Sequence, residues 1–140
     1  MGDESECTFA YQVTPREGYV FVVQTGYAAS EPKVRSMQSD IESALRQARA
    51  TRVVFDNRGT EAPAPWIRAL MWSWLGSHSR LTRVALIQEN DASRQRTMDR
   101  ATRAWRGISM SWVDQLQIMA FLSERDAEAW ICSEHVAKPA

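Results

Sequence analysis

Residues 52–76, which read RVVFDNRGTEAPAPWIRALMWSWLG, decide the fold. The short apolar run VVF at 53–55 is typical of a strand buried on both faces of a parallel sheet, and it ends in Asp56. A loop follows, and a helix is predicted from Pro65 to Gly76, because proline favours the first helical turn and glycine the end of a helix. Ligands of α/β proteins bind beyond the carboxyl ends of strands, so this stretch also predicts where function lies.

The chain before this stretch predicts a hairpin and a helix. Two β-rich segments at 9–13 and 19–23 are separated by a turn with the sequence PREG at 15–18. Ser30 is suited to cap the next helix, with Pro32 in its first turn. Apolar residues then recur at spacings of three and four, which predicts one buried helix face: Val34, Met37, Ile41, Ala44, Leu45 and Ala48.

The chain after this stretch continues the alternation of strands and helices. A buried strand is predicted at 84–87 (VALI), a helix capped by Asp91 or Ser93, a last strand at 116–122, and a final helix capped by Ser123. The order ββαβαβαβα predicts a single α/β domain over 1–140, with an N-terminal hairpin, about four helices and a mixed, mostly parallel sheet. We expect 1–6 to be flexible and 133–140 to form a tail.

Composition narrows the class of protein. The 140 residues carry 17 basic and 17 acidic side chains, and this balance argues against a surface built for nucleic acid or anionic lipid. The two cysteines, Cys7 and Cys132, have no metal-binding or CxxC spacing, which predicts reduced thiols in a cytoplasmic protein. No apolar run approaches the ~20 residues of a membrane-spanning helix.

The predicted helix at 65–76 has more apolar surface than one contact with a sheet needs. Trp66, Leu70 and Trp74 form one stripe. A second stripe is formed by Ile67, Met71 and Leu75. Trp72 lies further round the helix from this stripe. Three interpretations remain open for the surplus surface: cover by another helix of the domain, contact with a partner or second copy, or an apolar ligand pocket.

Polar residues follow the predicted strand at 53–55. Asp56 and Arg58 lie two apart, so on an extended chain they point to the same side. They could frame a small polar site with Thr60 and Glu61, or Asp56 could accept hydrogen bonds from nearby N–H groups while Arg58 forms a surface ion pair. Glu61 has no second carboxylate at a plausible local spacing, so acid–base catalysis by Asp56, Glu61 or His78 is the weakest of the functional hypotheses.

The remaining charged and metal-binding residue types give no specific site. Arg96, Arg100, Arg103 and Arg106 share one helix face, which is either solvated or able to follow phosphates. Asp99 interrupts that face and argues against nucleic acid. The two histidines, His78 and His135, and two distant cysteines do not fit a metal site, and no phosphate-binding glycine motif occurs. The sequence predicts no cofactor, no metal and no enzyme.

The combined pattern resembles the STAS/SpoIIAA-like superfamily, the fold of bacterial anti-sigma-factor antagonists. The resemblance covers nearly the whole chain and rests on the opening hairpin, VVFD at 53–56 with the helix after it, VALI at 84–87, and FLSERDAEAWI at 121–131. The last segment is similar to the branch of the superfamily that is compared with CRAL-TRIO lipid-binding domains. The resemblance implies a bacterial regulatory or binding domain that works through the loop and helix after the third strand.

The phosphorylation switch of that superfamily lacks its acceptor here. Members that use it carry Asp-Ser at the start of that helix, whereas this chain reads APAPW at 62–66 and offers only Thr60 nearby. We therefore expect a non-catalytic regulatory or protein-interaction module that works through the loop and Trp-rich helix at 58–75 and binds a protein partner or a second copy of itself. The alternative is a carrier or sensor of a small apolar molecule such as a lipid. The expected binding residues are Arg58, Thr60, Glu61, Trp66, Leu70, Met71, Trp72, Trp74 and Leu75.

Overall fold

In the part of the chain that the structure describes, the sheet has five strands in sequence order, with the first strand antiparallel and the others parallel. The computed structural model describes residues 7–77, 81–106 and 116–133. Its strands are β1 (Ala10–Arg16), β2 (Tyr19–Gly26), β3 (Arg52–Thr60), β4 (Arg83–Ile87) and β5 (Gln117–Phe121), in the order β1-β2-β3-β4-β5. β1 pairs antiparallel with β2, and the β2–β3, β3–β4 and β4–β5 pairs are parallel.

Within residues 7–77, 81–106 and 116–133, four helices alternate with the parallel strands. They are α1 (Glu31–Ala48), α2 (Pro65–Ser77), α3 (Asp91–Arg106) and α4 (Glu124–Ile131). The predicted α/β class, the hairpin and the order ββαβαβαβα are confirmed. The segments predicted to be flexible (1–6) or to form most of a tail (134–140) lie outside the described residues.

The alternation of side chains along each strand divides the core into two clusters. On one face, residues such as Val22, Phe55 and Leu86 pack with α1 and α2. On the other face, Phe21 and Val54 pack beneath α4 in a smaller cluster. The cavity described below opens on the α1–α2 face, so the strand positions on that face determine what lines it.

The helix caps confirm two predictions and correct a third. Ser30 accepts a hydrogen bond from the Lys33 amide at the start of α1, and Ser123 accepts one from the Asp126 amide at the start of α4. At the start of α3, however, the Oδ1 atom of Asn90 accepts from the Ser93 amide. Capping of α3 by Asp91 or Ser93 was therefore a wrong prediction, because the helix begins one residue earlier than its acidic signal suggests.

Three of the strands extend beyond the apolar runs that predicted them. β3 continues through Thr60, because β2 also continues to Gly26 and the two strands pair again after a register shift. The predicted loop is therefore strand as far as residue 60. β1 likewise continues through Pro15 to Arg16, where a turn was predicted; β1 is an edge strand, on which the missing proline N–H is tolerated.

A backbone contact at one end of the sheet and a side-chain contact at the other hold neighbouring segments in place. Gly26 has a φ of +80°, and a Cβ atom there would overlap the carbonyl oxygen of Thr8. At the opposite end of the sheet, Arg83 is 1% exposed and lies over the ring of Trp130. Its Nη1 donates to the carbonyl oxygens of Trp130 and Ser133, at 2.8 and 2.7 Å, which fastens the carboxyl end of α4 to β4.

Candidate functional site

A cavity of about 240 Å³ lies beyond the carboxyl ends of β2, β3 and β4. It is bounded by α1, α2 and α3 and by the segments that follow β2 and β3. This is the end of a parallel sheet at which α/β proteins bind ligands. Its lining mixes apolar and polar side chains: Phe9, Gln24, Ala28, Met37, Gln38, Phe55, Asn57, Thr60, Glu61, Ala62, Pro63, Arg68, Met71, Trp72, Trp74, Leu75, Leu86, Gln88, Glu89, Ser93, Arg96, Thr97 and Arg100, with Gly26.

Three strands each contribute a carboxamide to the cavity. Gln24, Asn57 and Gln88 stand at the carboxyl ends of β2, β3 and β4, where the apolar alternation of the α1–α2 face would place the next inward side chain. Gln24 is 3% exposed, and its Nε2 donates to Asn57 Oδ1 at 2.6 Å. The cavity therefore has a polar floor made of neutral groups, each of which can both donate and accept hydrogen bonds.

A fourth carboxamide reaches the cavity from α1. Gln38 is 5% exposed, and within the described residues its Nε2 has no hydrogen-bond partner. Its neighbours on the same helix face, Met37 and Ile41, are buried in the core. A buried N–H without a partner costs free energy, and such groups are rare in folded proteins. Packing of the core therefore does not explain why a polar side chain stands at Gln38.

Helix α2 forms the aromatic wall of the cavity. Ile67 and Leu75 are buried against the sheet, and Met71, Trp72 and Trp74 line the cavity and pack at the edge of the core. The Nε1 atom of Trp74 donates to Glu42 of α1 at 3.1 Å, which links the two helices across the site. The surplus apolar surface of this helix therefore faces partly its own domain and partly a cavity.

Charged side chains of both signs surround this polar floor. Glu61 follows β3 and Glu89 follows β4, while Arg68 lies on α2 and two arginines of α3 line the cavity, namely Arg96 and Arg100. Arg96 also donates to Ser93 at 3.2 Å. The side chains of Arg103 and Arg106, which belong to the predicted basic face, lie outside the described residues. The described lining residues therefore carry charges of both signs, unlike the single-sign patches that collect phosphates.

Three of the expected binding residues lie away from the cavity lining. Trp66 begins α2 and is 44% exposed, and Leu70 packs on the core. Arg58 points to the α4 face, where its Nε and Nη2 donate to both carboxylate oxygens of Asp56 at 2.9 and 2.7 Å. The remaining six, Thr60, Glu61, Met71, Trp72, Trp74 and Leu75, line the cavity.

The polar residues after the 53–55 run are divided between the two faces of the sheet. Asp56 and Arg58 share one side, as their spacing predicts, and the hydrogen bonds from Arg58 lower the pKa of Asp56 below its usual 3.8. Thr60 donates through its hydroxyl to the Asn57 carbonyl at 2.7 Å. Asp56 is therefore a structural ion-pair partner, and the Thr60 hydroxyl is already bonded to the backbone.

The other chemistry-bearing residues add no second centre within the described ranges. Cys7 and Cys132 are both free thiols. In residues 7–77, 81–106 and 116–133, no three histidine, cysteine, aspartate or glutamate side chains come together to hold a metal ion. In those same ranges no helix is long and apolar enough to cross a membrane. His78 and His135 lie outside the described residues.

The carboxamides are the site residues that sequence reasoning missed. A signal was present, because each follows an apolar alternation at its next inward position: Val20, Val22, Gln24; Val53, Phe55, Asn57; Val84, Leu86, Gln88. Gln38 stands inside the apolar stripe of α1, beside Met37. Polar residues at positions that should be buried are the sequence signature of an interior polar site.

Comparison with known proteins identifies the fold. No protein-family model matches the sequence, and no curated protein matches it either. A crystal structure of an uncharacterized protein of the DUF3478 family from Shewanella loihica PV-4, which has a SpoIIAA-like fold, is similar at 17% sequence identity and a TM-score of 0.64. The similarity covers 89% of this chain and 95% of that one. The chain therefore has a SpoIIAA-like fold, as the resemblance of its sequence implied.

Proposed function

We propose that this protein is a non-catalytic regulatory module that binds a small molecule in the cavity between α1, α2 and α3. The observation that carries the proposal is Gln38, a buried carboxamide of the cavity lining whose Nε2 has no partner in the described part of the chain. Nε2 is closed off from solvent in this structure, and a rotation of the Gln38 side-chain amide toward the cavity would give it a partner in a ligand that carries a hydrogen-bond acceptor. Polar groups left without partners in a folded protein are a reason to look for a binding role.

The residues that line the cavity favour an amphipathic ligand more than a purely apolar one. Trp72, Trp74 and Met71 offer an apolar wall, but the floor is made of carboxamides. A hydrocarbon chain placed on Gln24 and Asn57 would remove these amides from water without giving them a hydrogen bond, which is unfavourable. A carrier of a lipid, the earlier alternative, is therefore less well supported than a sensor of a small molecule with a polar end.

Helix α2 is the element that we expect to respond to the ligand. Among its thirteen residues only Ile67, Leu75 and Gly76 are buried, although most of the helix is apolar. A ligand packed against Trp72 would complete the burial of this helix and shift its conformational population. A protein partner that binds the outer surface of α2 would then bind the two states of this helix with different affinity. This difference would connect the pocket to the regulatory role.

Two tryptophans of α2 provide a matched test. Trp72 lines the cavity, whereas Trp66 lies on the same helix, is 44% exposed and does not line it. The protein is purified without denaturation and analysed by native mass spectrometry for a co-purified small molecule. We expect wild type and Trp66→Ala to retain that molecule and Trp72→Ala to lose it. Retention by Trp72→Ala, in a variant that keeps its far-UV circular dichroism, would refute the proposed site.

The exposure of Trp66 favours a second candidate function, which is recognition of a protein partner or of a second copy. An aromatic side chain that is 44% exposed at the start of α2 is of the type enriched in interfaces. In that case Trp66→Ala would reduce the concentration-dependent size measured by light scattering, and Trp72→Ala would not. A size that is independent of concentration in all three proteins would exclude a homodimer.

Catalysis is not part of the proposal. Asp56 is held by Arg58 on the opposite face of the sheet, and Glu61 is exposed. We also propose a cytoplasmic location without nucleic-acid binding, which is supported by the two free cysteines and by charges of both signs in the cavity lining.

A further inference from the structure

Four carboxamides line one small cavity, and this is more than hydrogen bonding within the core requires. Gln24 and Asn57 bond to each other, whereas Gln38 reaches the same cavity from α1 and Gln88 from the end of β4. Each carboxamide carries a donor and an acceptor in one plane. Another planar group with donor and acceptor side by side would match such an edge.

Building on the proposed function, we propose that the ligand is a small planar ring that carries an amide: a cyclic amide or imide, or an aromatic carboxamide. Such an edge presents an N–H and a C=O group to the same side. Asparagine and glutamine form paired hydrogen bonds with edges of this kind, as they do with the edge of adenine. A carboxylate tail or an alkyl chain presents no such pair.

The aromatic residues that α2 contributes to the lining suit the faces of a ring. Trp72 and Trp74 of α2 line the cavity together with Met71. Heteroaromatic rings stack on indoles, and methionine sulfur contacts ring edges favourably. The hydrogen bond from Trp74 to Glu42 holds one indole against α1, so part of this wall is fixed before the ligand enters.

Cavity size and charge further restrict the ligand. A volume of about 240 Å³ is below the ~300–1,000 Å³ of pockets for drug-sized molecules, so one or two rings fill it. The floor groups Gln24, Asn57 and Gln38 are uncharged, which favours a neutral buried edge. The charged lining residues have both signs, so they do not favour a strongly anionic ligand: Glu61, Arg68, Glu89, Arg96 and Arg100.

The first experiment compares four probes by titration into the isotope-labelled full chain. Uracil and nicotinamide represent the cyclic imide and the aromatic carboxamide, and toluene and decanoate represent an apolar ring and an apolar acid. We expect uracil or nicotinamide to shift the side-chain amide resonances of Gln38 and Asn57 and the indole resonance of Trp72. Shifts by toluene or decanoate only, with none from uracil or nicotinamide, would overturn the inference.

Variants separate recognition by carboxamides from occupancy of the cavity. Gln38→Met removes one amide with little change in volume, and Asn57→Leu removes another. Gln47 is exposed on the same helix α1, so Gln47→Met is the matched control. We expect each cavity variant to weaken binding of the tighter amide probe by about three- to tenfold, the usual value of one hydrogen bond, and the control to leave it unchanged. Unchanged affinity in a folded Gln38→Met variant would overturn the inference.

The two proposals fail in different ways. Suppose that decanoate or toluene binds wild type, that Trp72→Ala weakens this binding, and that both amide probes fail to bind. The cavity is then a ligand site, and only the assigned ligand class is wrong. If none of the four probes binds and no small molecule co-purifies with wild type, the ligand class is overturned and the proposed function loses its support as well.

Discussion

Replacing Gln38 by methionine should make the unliganded protein more stable. The side chain is 5% exposed, and its Nε2 is buried without a partner in the described residues. An unsatisfied buried polar group costs about 1–3 kcal/mol. Methionine has a similar length and volume, so the substitution leaves no cavity, and it adds apolar surface beside Met37 and Ile41.

The expected gain in the free energy of unfolding is therefore about 1–2 kcal/mol, because part of the desolvation cost is recovered by relaxation in the wild type. For a chain of this length such a gain corresponds to a rise in Tm of roughly 3–8 °C. Urea unfolding at pH 7, followed by circular dichroism, measures this gain. If the free energy of unfolding falls with urea concentration at the same slope in both proteins, only the stability has changed.

The control is Gln47→Met, the same chemical change at an exposed position of α1. We expect it to alter the free energy of unfolding by less than about 0.5 kcal/mol, as surface substitutions usually do. A loss of stability greater than this in Gln38→Met would show that the Gln38 amide is bonded in the native state. The argument that it is kept for a ligand would then fail.

Four further substitutions test other contacts of the fold. Because Arg58 lowers the pKa of Asp56 below 3.8, the stability from this pair is complete above about pH 4 and is lost as the pH falls through the lowered pKa. Asp56→Asn should therefore flatten the decline of urea-unfolding free energy between pH 5 and pH 2, and an unchanged slope would contradict this. Gly26→Ala should cost about 2–5 kcal/mol, because strain at positive φ adds to a backbone overlap. Gly18→Ala, at a positive φ with open space, should cost only about 1–2 kcal/mol; equal costs would refute the overlap. Arg83→Ala should cost about 1–3 kcal/mol in the same assay, because the loss of buried packing and of the hydrogen bonds that hold α4 outweighs the removal of two buried nitrogens, Nε and Nη2, that have no partner in the described residues. A neutral result would show that α4 is held without these bonds.

The order of strands and helices could be predicted because each element carries its own local signal. The apolar stripe of α1, the runs at 53–55 and 84–87, and the serine caps of α1 and α4 are all properties of short segments. The continuation of β3 to Thr60 could not be predicted in this way. It depends on pairing with Thr25 and Gly26 of β2, some thirty residues earlier, after a shift in register. A polar segment such as 56–60 becomes strand only when a partner strand is present.

Six of the nine residues expected to bind line the cavity, but the sequence did not single out the carboxamides beside them. The tryptophans of α2 attract attention because they are large and apolar, and three of the residues expected on that helix to bind, Met71, Trp72 and Trp74, line the cavity beside the buried Leu75. The carboxamides are less noticeable, since glutamine and asparagine are common at surfaces. The inward position of Gln24, Asn57 and Gln88 is recognised only when strand alternation is followed to the next inward residue after each apolar run.

The proposed ligand binding would account for the carboxamide at Gln38, which stability alone does not. An apolar residue at this position would extend the stripe of α1 and would satisfy every rule for a buried helix face. The chain instead has a carboxamide there, in a cavity that already contains Gln24, Asn57 and Gln88. A side chain that lowers the stability of the unliganded protein is expected where the same atoms strengthen binding, because the cost of burial is then offset only in the complex. Stability and ligand affinity should therefore change in opposite directions in Gln38→Met.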